Sequence, residues 1–151
     1  MTNLLKRTTF IVADAESAAR RYEWIFGWTR YYDHELKVDG RFPPVAPDGS
    51  AAHLVMLRAE DPVIGMLGFL SYRDFVPASG TGAMGLGTAM LVVTTPDANA
   101  LAKRARSQKE MNVNGPVDWQ VPSARGPIIT LRTVSLTDTD GLYFEASERR
   151  L

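Results

Sequence analysis

The sequence of 151 residues contains no cysteine and carries no net charge, since 17 basic residues balance 17 acidic ones. Without cysteine there is no disulfide framework, no thiolate metal site and no cysteine nucleophile. The balanced charge, with no long run of one sign, argues against a nucleic-acid binder and against attachment to an anionic membrane. The basic residues within 103–109 follow a helical pattern and are typical of a solvated helix face.

Long apolar runs are also missing. No stretch approaches the roughly 18 apolar residues that a membrane span needs, and the opening MTNLLKRTTF lacks the apolar core of a signal peptide. Hydrophobic residues nevertheless make up 45% of the chain, and a chain of this length buries about two thirds of its unfolded surface. We therefore expect one globular domain, residues 1–151, located in the cytoplasm.

A strand and a helix open the chain. Residues 5–12 are β-branched and apolar and predict a buried strand. Asp14 is a plausible N-cap, and Gly27 ends the apolar spacing of 3.6 residues that follows. The residues of that apolar stripe are Ala15, Ala18, Ala19, Tyr22, Ile25 and Phe26. Extended stretches are then predicted, between turn-rich segments, at 28–38, 52–58 and 63–70.

The same pattern returns in the second half. Residues 71–87 are rich in Gly, Ser and Pro and predict a connection. TAMLVV at 88–93 resembles RTTFIV at 7–12. In Thr95-Pro96-Asp97 an N-cap, Thr95, precedes a proline at the first helical position, which predicts the start of a second helix. Further extended stretches are predicted at 117–121, 128–136 and 142–147.

Two β-α-β-β-β modules, 5–70 and 88–147, therefore form an internal repeat of the α+β class. The main competitor is a ferredoxin-like β-α-β-β-α-β chain, which needs only two strands between its helices. About seventy residues with three apolar extended stretches lie between Phe26 and Pro96, too many for that topology without a long insertion. We prefer the repeat.

Two segments resemble a known family. RTTFIVADAESAARRYEWIFGW at 7–28 resembles the opening strand, Asp-capped helix, aromatic position and closing Leu-Gly of the vicinal oxygen chelate superfamily. DTDGLYFEAS at 138–147 resembles that superfamily's Asp-Pro-Asp-Gly-Asn-x-x-Glu ending. Glyoxalase I, bleomycin-resistance proteins, fosfomycin-resistance thiol transferases and extradiol dioxygenases belong to it. The resemblance implies a single glyoxalase-like domain, in which two βαβββ modules form open, cupped mixed sheets (the glyoxalase/bleomycin resistance/dioxygenase fold).

The resemblance also implies where a metal would be bound. Enzymes of the superfamily place His or Gln on the first strand of each module and Glu on the last. The matching residues here are Arg7, Thr88, Glu145 and one of Met66, Leu67 or Gly68. Only Glu145 suits a metal, because a guanidinium repels a cation. We therefore expect no metal or other cofactor; the alternative, a divalent metal, is disfavoured by Arg7 and Thr88.

The two histidines fall outside these positions. His53 alternates with Val55 and Leu57 on a predicted strand, which favours a hydrogen-bonded, partly buried imidazole over a site role. His34 lies between two acidic residues in a polar strand, and we expect it to be structural or exposed.

Two interpretations of Glu145 stay open. Tyr143, Glu145 and Ser147 share one strand face, and an acid on a solvated face needs no function. In the superfamily fold, however, the positions of Arg7 and Glu145 converge in one cup, where an ion pair would replace the metal and hold a polar or anionic ligand. On that hypothesis Arg7, Thr88 and Glu145 bind the ligand, and Glu145 is the candidate catalytic base.

Aromatic residues on predicted strands supply candidate walls for such a cup, namely Trp28, Phe69 and Trp119. The expected function is binding or sequestration of a small organic molecule by a metal-free, bleomycin-resistance-like protein. The alternative is an enzyme of the same superfamily, a lyase, isomerase or dioxygenase acting on a small organic substrate. Because each module is an open sheet whose edge needs a partner, we expect a homodimer.

Overall fold

The computed structural model describes residues 2–78 and 84–151, and the chain divides into two compact units, Met1–Ala78 and Ser79–Leu151. Each unit is a four-stranded mixed sheet with one helix packed on one of its faces. Within the described ranges, no helix is long and apolar enough to cross a membrane.

The elements follow the order β-α-β-β-β twice. The first unit consists of β1 (Arg7–Ile11), α1 (Ala15–Phe26), β2 (Thr29–Lys37), β3 (Ala51–Arg58) and β4 (Met66–Tyr72). The second unit consists of β5 (Leu91–Thr94), α2 (Ala98–Arg106), β6 (Asn112–Pro122), β7 (Ile128–Thr137) and β8 (Tyr143–Arg150). The predicted repeat and the α+β class are confirmed.

Both sheets have the same topology. The strand orders are β1-β4-β3-β2 and β5-β8-β7-β6. The first strand of each unit pairs parallel with the last, and the remaining pairs are antiparallel. Both sheets are open, and two separate sheets exclude the ferredoxin-like alternative.

The first helix begins at its predicted cap, Asp14, but the second is capped by Asp97 and not by the predicted Thr95, whose hydroxyl instead accepts a hydrogen bond from the Asp97 N–H. The Asp14 side chain accepts a hydrogen bond from the Ser17 backbone N–H at 3.1 Å, and Asp97 accepts one from Ala100 at 2.9 Å. The bond from Ser17 lowers the pKa of Asp14, because it favours the ionised carboxyl. At the other end, α1 stops at Gly27, whose φ of 71° suits glycine.

Strand alternation separates a helix face from an open face in the first sheet. Phe69 of β4 is fully buried, and its ring stacks on Tyr22 of α1 with centroids 5.4 Å apart. Phe10 pairs with Phe69 in the register and therefore points to the helix as well. Exposed and half-buried residues alternate along β1, and the exposed Arg7 and Ile11 point to the open face.

The second sheet is organised in the same way. Its largest fully buried side chains lie between α2 and the sheet, and they are Leu101, Val134, Leu136 and Phe144. Because Glu145 alternates with the buried Phe144 and Ala146, it points to the face opposite α2.

Several predicted boundaries need correction, the largest at β6, which begins at Asn112 rather than at residue 117. β1 begins at residue 7 rather than 5, and β4 extends through Tyr72 into the predicted connection 71–87. β5 begins at Leu91 rather than at residue 88. The turn-forming Gly85 and Gly87, the latter with φ 84°, explain the late start, because they bend the chain just before the strand. Residues 79–83 of the predicted connection lie outside the described residues.

Replacement of Phe69 by Ala should lower the free energy of unfolding by about 3–5 kcal/mol, because it leaves a cavity beneath α1. The control is Trp24→Ala, which truncates an α1 side chain that is 54% exposed and should cost about 1 kcal/mol or less. Urea unfolding measures both. A cost below about 1 kcal/mol for Phe69→Ala would contradict the burial of this ring.

Candidate functional site

The open face of the first sheet carries an apolar groove of about 400 Å³. Ile11, Leu54 and Leu70 form its floor, since Ile11 pairs with Leu70, Leu70 pairs with Leu54, and paired residues share a face. The other lining residues are Arg7, Thr9, Leu36, Val38, Phe42 and Pro43. Sites for small organic molecules typically have volumes of about 300–1,000 Å³, so the groove has room for such a ligand.

The connection between β2 and β3 forms one wall of the groove. Its residues Val38 and Ala46 are buried in a small apolar cluster with Leu70 and Tyr72. This anchorage holds the segment against the sheet, while Phe42 at the groove is 71% exposed. A fixed wall with an exposed ring at its rim is suited to contact an apolar ligand.

Arg7 is the one charged side chain among the described residues that line the groove. Its Nη1 donates to the Met56 sulfur at 3.1 Å, and a thioether is a weak acceptor. Among the described residues of the first unit, no carboxylate forms an ion pair with it. The guanidinium therefore keeps most of its donors for another partner.

The position in the first unit that corresponds to Glu145 is a glycine. Glu145 pairs with Val92 of β5, as Gly68 pairs with Thr9 of β1. A Cβ added at Gly68 would lie 2.6 Å from the Thr9 hydroxyl oxygen. This position has no ligand atom and no space for one.

The first-strand positions do not suit a metal either. When the units are aligned on their N-caps, Asp14 and Asp97, Arg7 corresponds to Met90 and not to Thr88. Neither a guanidinium nor a thioether is a ligand that a hard divalent cation prefers. The residues present therefore do not fit the metal that the superfamily resemblance implies.

Glu145 belongs to a polar network on the open face of the second sheet. The Tyr143 hydroxyl donates to its Oε1 at 2.9 Å. Burial, followed by the hydrogen bond to Glu145 and the charge of that carboxylate, raises the pKa of Tyr143. On the same face, the Trp119 indole N–H donates to the Thr133 hydroxyl at 2.7 Å, and the Thr133 and Ser147 hydroxyls lie 2.8 Å apart. The role of Glu145 as a base stays a prediction.

The predicted walls lie in three different environments. Trp119 is 44% exposed on the open face of the second sheet. Trp28 precedes β2 and is half-buried beside Phe26, with ring centroids 5.1 Å apart. Phe69 needs correction: alternation turns it under α1, and it is not available to a ligand on the open face.

Thr88 also needs correction. It lies in an exposed turn before β5, where its hydroxyl accepts from the Gly85 N–H at 2.9 Å and its own N–H donates to the Gly85 carbonyl at 3.1 Å. Thr88 is thus not on β5, the first strand of the second unit, where the predicted repeat placed it. Arg7 belongs to the first unit, Thr88 and Glu145 to the second, and the expected convergence of the three stays a prediction.

Sequence reasoning missed the aliphatic floor of the groove. Leu54 lies between the polar His53 and the buried Val55. Without the register of the strands, this pattern does not show which face of the sheet Leu54 occupies. The pairing of Ile11, Leu70 and Leu54 supplies that register.

A second polar cluster lies on the helix face of the first sheet, around Arg30. The guanidinium lies 2.7 Å from carboxylate oxygens of both Glu16 and Asp33 and 2.9 Å from one of Glu23. His53 Nε2 lies 2.6 Å from an Asp33 oxygen, so the predicted hydrogen-bonded, partly buried imidazole is confirmed. His34 is exposed, as expected, and its ring packs edge-on against Tyr32 with centroids 4.7 Å apart.

This cluster contains the only group within the described ranges whose spacing could hold a metal ion. The ligand atoms of Glu16, Asp33 and His53 all lie within 4.8 Å of one another. Arg30, however, already forms ion pairs with the two carboxylates. The hydrogen bond from Arg30 lowers the pKa of Glu16. The pKa of Asp33 is lowered by its hydrogen bond with His53 and, second, by the one from Arg30. The cluster is therefore an ion-pair network that joins α1 to the sheet.

No protein-family model matches the chain, and no curated protein matches its sequence. Solved structures match over almost the full length. A glyoxalase family protein from Bacillus cereus is 12% identical with a TM-score of 0.78, covering 99% of this chain and 95% of that one. An antibiotic-binding protein from Streptomyces sp. CB03234 is 17% identical with a TM-score of 0.61, covering 99% and 98%.

A fosfomycin resistance protein from Mesorhizobium loti is also 17% identical, with a TM-score of 0.58, and the match covers 100% of this chain and 96% of that one. These structural similarities, with TM-scores of 0.58 to 0.78, establish the fold. The chain has the open, two-module fold of the glyoxalase/bleomycin resistance/dioxygenase proteins, and the predicted fold is confirmed.

Arg30→Gln should destabilise the protein by about 1–2 kcal/mol at pH 7, since a partly exposed network contributes modestly, and by much less near pH 3. The pKa values of Glu16 and Asp33 are lowered by folding, so their contribution is present above about pH 4 and is lost as the pH falls through the folded-state values. Urea unfolding at both pH values measures the difference.

The control for this experiment is Arg20→Gln. Arg20 pairs only with Glu16 among the ion pairs of the described residues, and its side chain is 76% exposed, so its removal should cost about 0.5 kcal/mol or less. A destabilisation by Arg30→Gln that is equally large at the two pH values would contradict the role of the ionised carboxylates.

Proposed function

We propose that this protein binds or sequesters a small organic molecule, in the manner of a bleomycin-resistance protein, and that the groove of the first unit holds its apolar part. The observation that carries the proposal is the groove itself, with a floor of Ile11, Leu54 and Leu70 and a wall that includes Phe42. A ligand that covers this surface removes it from water, which favours binding by about 25 cal/mol per Å².

Proteins of the same fold support this interpretation. The Streptomyces structure is that of an antibiotic-binding protein, and the Mesorhizobium structure that of a fosfomycin resistance protein. An enzyme of the same superfamily, a lyase, isomerase or dioxygenase, is the alternative. The contact in its favour is the Tyr143 hydrogen bond, because it orients the Glu145 carboxylate as a general base would require.

We further propose that binding requires no metal. Arg7 and Met90 stand at the first-strand positions, and Gly68 stands where a last-strand glutamate would be needed. Glu145 alone gives one ligand, whereas catalytic metal sites usually have three from the protein.

A homodimer remains part of the proposal. β1 and β2 are the edge strands of the first sheet, and β5 and β6 those of the second. Exposed strand edges favour pairing with another chain, and closed two-fold dimers are the commonest assemblies of soluble proteins.

The groove can be tested with N-phenyl-1-naphthylamine, an uncharged dye that fluoresces in apolar sites. We expect Leu54→Trp to weaken dye binding by about tenfold or more, because the indole fills the groove and removes the apolar surface that the dye would cover. Val63→Trp is the control, since it adds the same indole at a site that is 52% exposed and outside the groove. Equal affinities in the wild-type protein and in Leu54→Trp would contradict the proposed site.

The metal proposal has its own test. Dialysis against EDTA, followed by addition of Zn²⁺, Ni²⁺ or Mn²⁺, should leave dye affinity unchanged, because no ligand contact passes through a metal. Anomalous scattering from an ion coordinated by Glu145 in crystals would overturn the proposal. So would a loss of dye binding after EDTA that one of these metals restores.

A further inference from the structure

We infer that the ligand of the groove is an organic anion, whose charged group is bound by Arg7 while its apolar body covers the floor. This inference rests on the proposed function and narrows it to a class of molecule. The shared chemistry is a carboxylate, phosphonate or sulfonate attached to an apolar skeleton.

The charge of Arg7 carries the first step. Other arginines of the first unit pair with carboxylates: Arg30 with Glu16, Arg41 with Asp39, and Arg73 with Glu35. For Arg7, the described residues of that unit provide only the Met56 sulfur. Within the first unit, the groove therefore presents a positive charge that no carboxylate of that unit compensates.

The geometry of β1 carries the second step. Arg7, Thr9 and Ile11 occupy alternate positions of one strand and line the same groove. Four residues of strand span about 13 Å, so the cation and the aliphatic floor are separated by the length of a small amphiphile. The Thr9 hydroxyl lies between them, where it offers one further donor.

Chemical complementarity then selects the head group. A cationic ligand would be repelled by the guanidinium, and a neutral apolar one would desolvate it without giving it a partner. An anion with two oxygens matches the guanidinium fork and forms charge-assisted hydrogen bonds, which are among the stronger ones in proteins.

Two dyes with one skeleton test the inference. 8-Anilinonaphthalene-1-sulfonate is N-phenyl-1-naphthylamine with a sulfonate added. The wild-type protein should bind the sulfonate about tenfold more tightly than the neutral dye, as expected for a charge-assisted contact. Arg7→Gln should abolish this preference by weakening the sulfonate alone, and Arg7→Lys should retain part of it.

Lys103→Gln is the matched control. It removes the same charge from an exposed position on α2 and should leave both affinities at the wild-type value. Octanoate and octylphosphonate then distinguish the natural head groups. Each should displace the sulfonate dye from the wild-type protein and much more weakly from Arg7→Gln, and the tighter one identifies the class. Failure of both to displace it would overturn the inference.

The outcomes separate this inference from the proposed function. If Arg7→Gln binds the sulfonate as the wild type does, while Leu54→Trp lowers the affinity for both dyes, the ligand is not selected by its charge. The groove is then still the binding site, and only the inference of an anionic ligand is wrong. If Leu54→Trp affects neither dye, the proposed function itself is wrong. If Arg7→Gln does not fold, the ratio of the two dye affinities in the wild type still decides, because a ratio near one overturns the inference.

Discussion

Burial of one face of each sheet beneath a single helix is the constraint on which the rest of the structure depends. In the first unit, the stacking of Tyr22 on Phe69 fixes α1 against β4. Since successive strand residues point to opposite faces, this contact also determines which residues stay uncovered. With one helix per sheet, the other face is left open, and in the first unit that face is the groove.

The two polar arrangements of the first unit differ in charge balance. On the helix face, Arg30 is surrounded by Glu16, Glu23 and Asp33. Its guanidinium is therefore paired with carboxylates inside the unit, and the network stabilises the fold. On the open face, Arg7 has a sulfur atom as its contact within the unit. A charge that has no counter-ion within its own unit, beside an apolar groove, is a feature that the packing of that unit does not require, and it is the reason for the proposed anionic ligand.

Features that depend on nearby residues, such as the helix starts, could be predicted from the sequence. Features that depend on how the strands pair, such as the face on which a residue lies, could not. Asp14 marks the start of α1 because an N-cap acts within its own turn, whereas the cap of α2 is Asp97, two residues after the predicted Thr95. β4 is buried along its whole length, so its composition does not show that Phe69 faces the helix while Leu70 faces the groove. Thr88 was misplaced because the repeat was aligned on its apolar residues instead of its caps. Phe42 lies in a turn-rich segment with no periodicity to assign it.

The most direct test of the account is a methyl NMR titration of Ile, Leu and Val side chains with 8-anilinonaphthalene-1-sulfonate. If the ligand occupies the groove, the methyl groups of Ile11, Leu36, Leu54 and Leu70, which line it, should show saturable shifts. Leu57, which is buried beneath α1, and Leu101, which is buried on the sheet side of α2, should shift far less. Saturable binding that leaves the four groove residues unchanged would contradict the account.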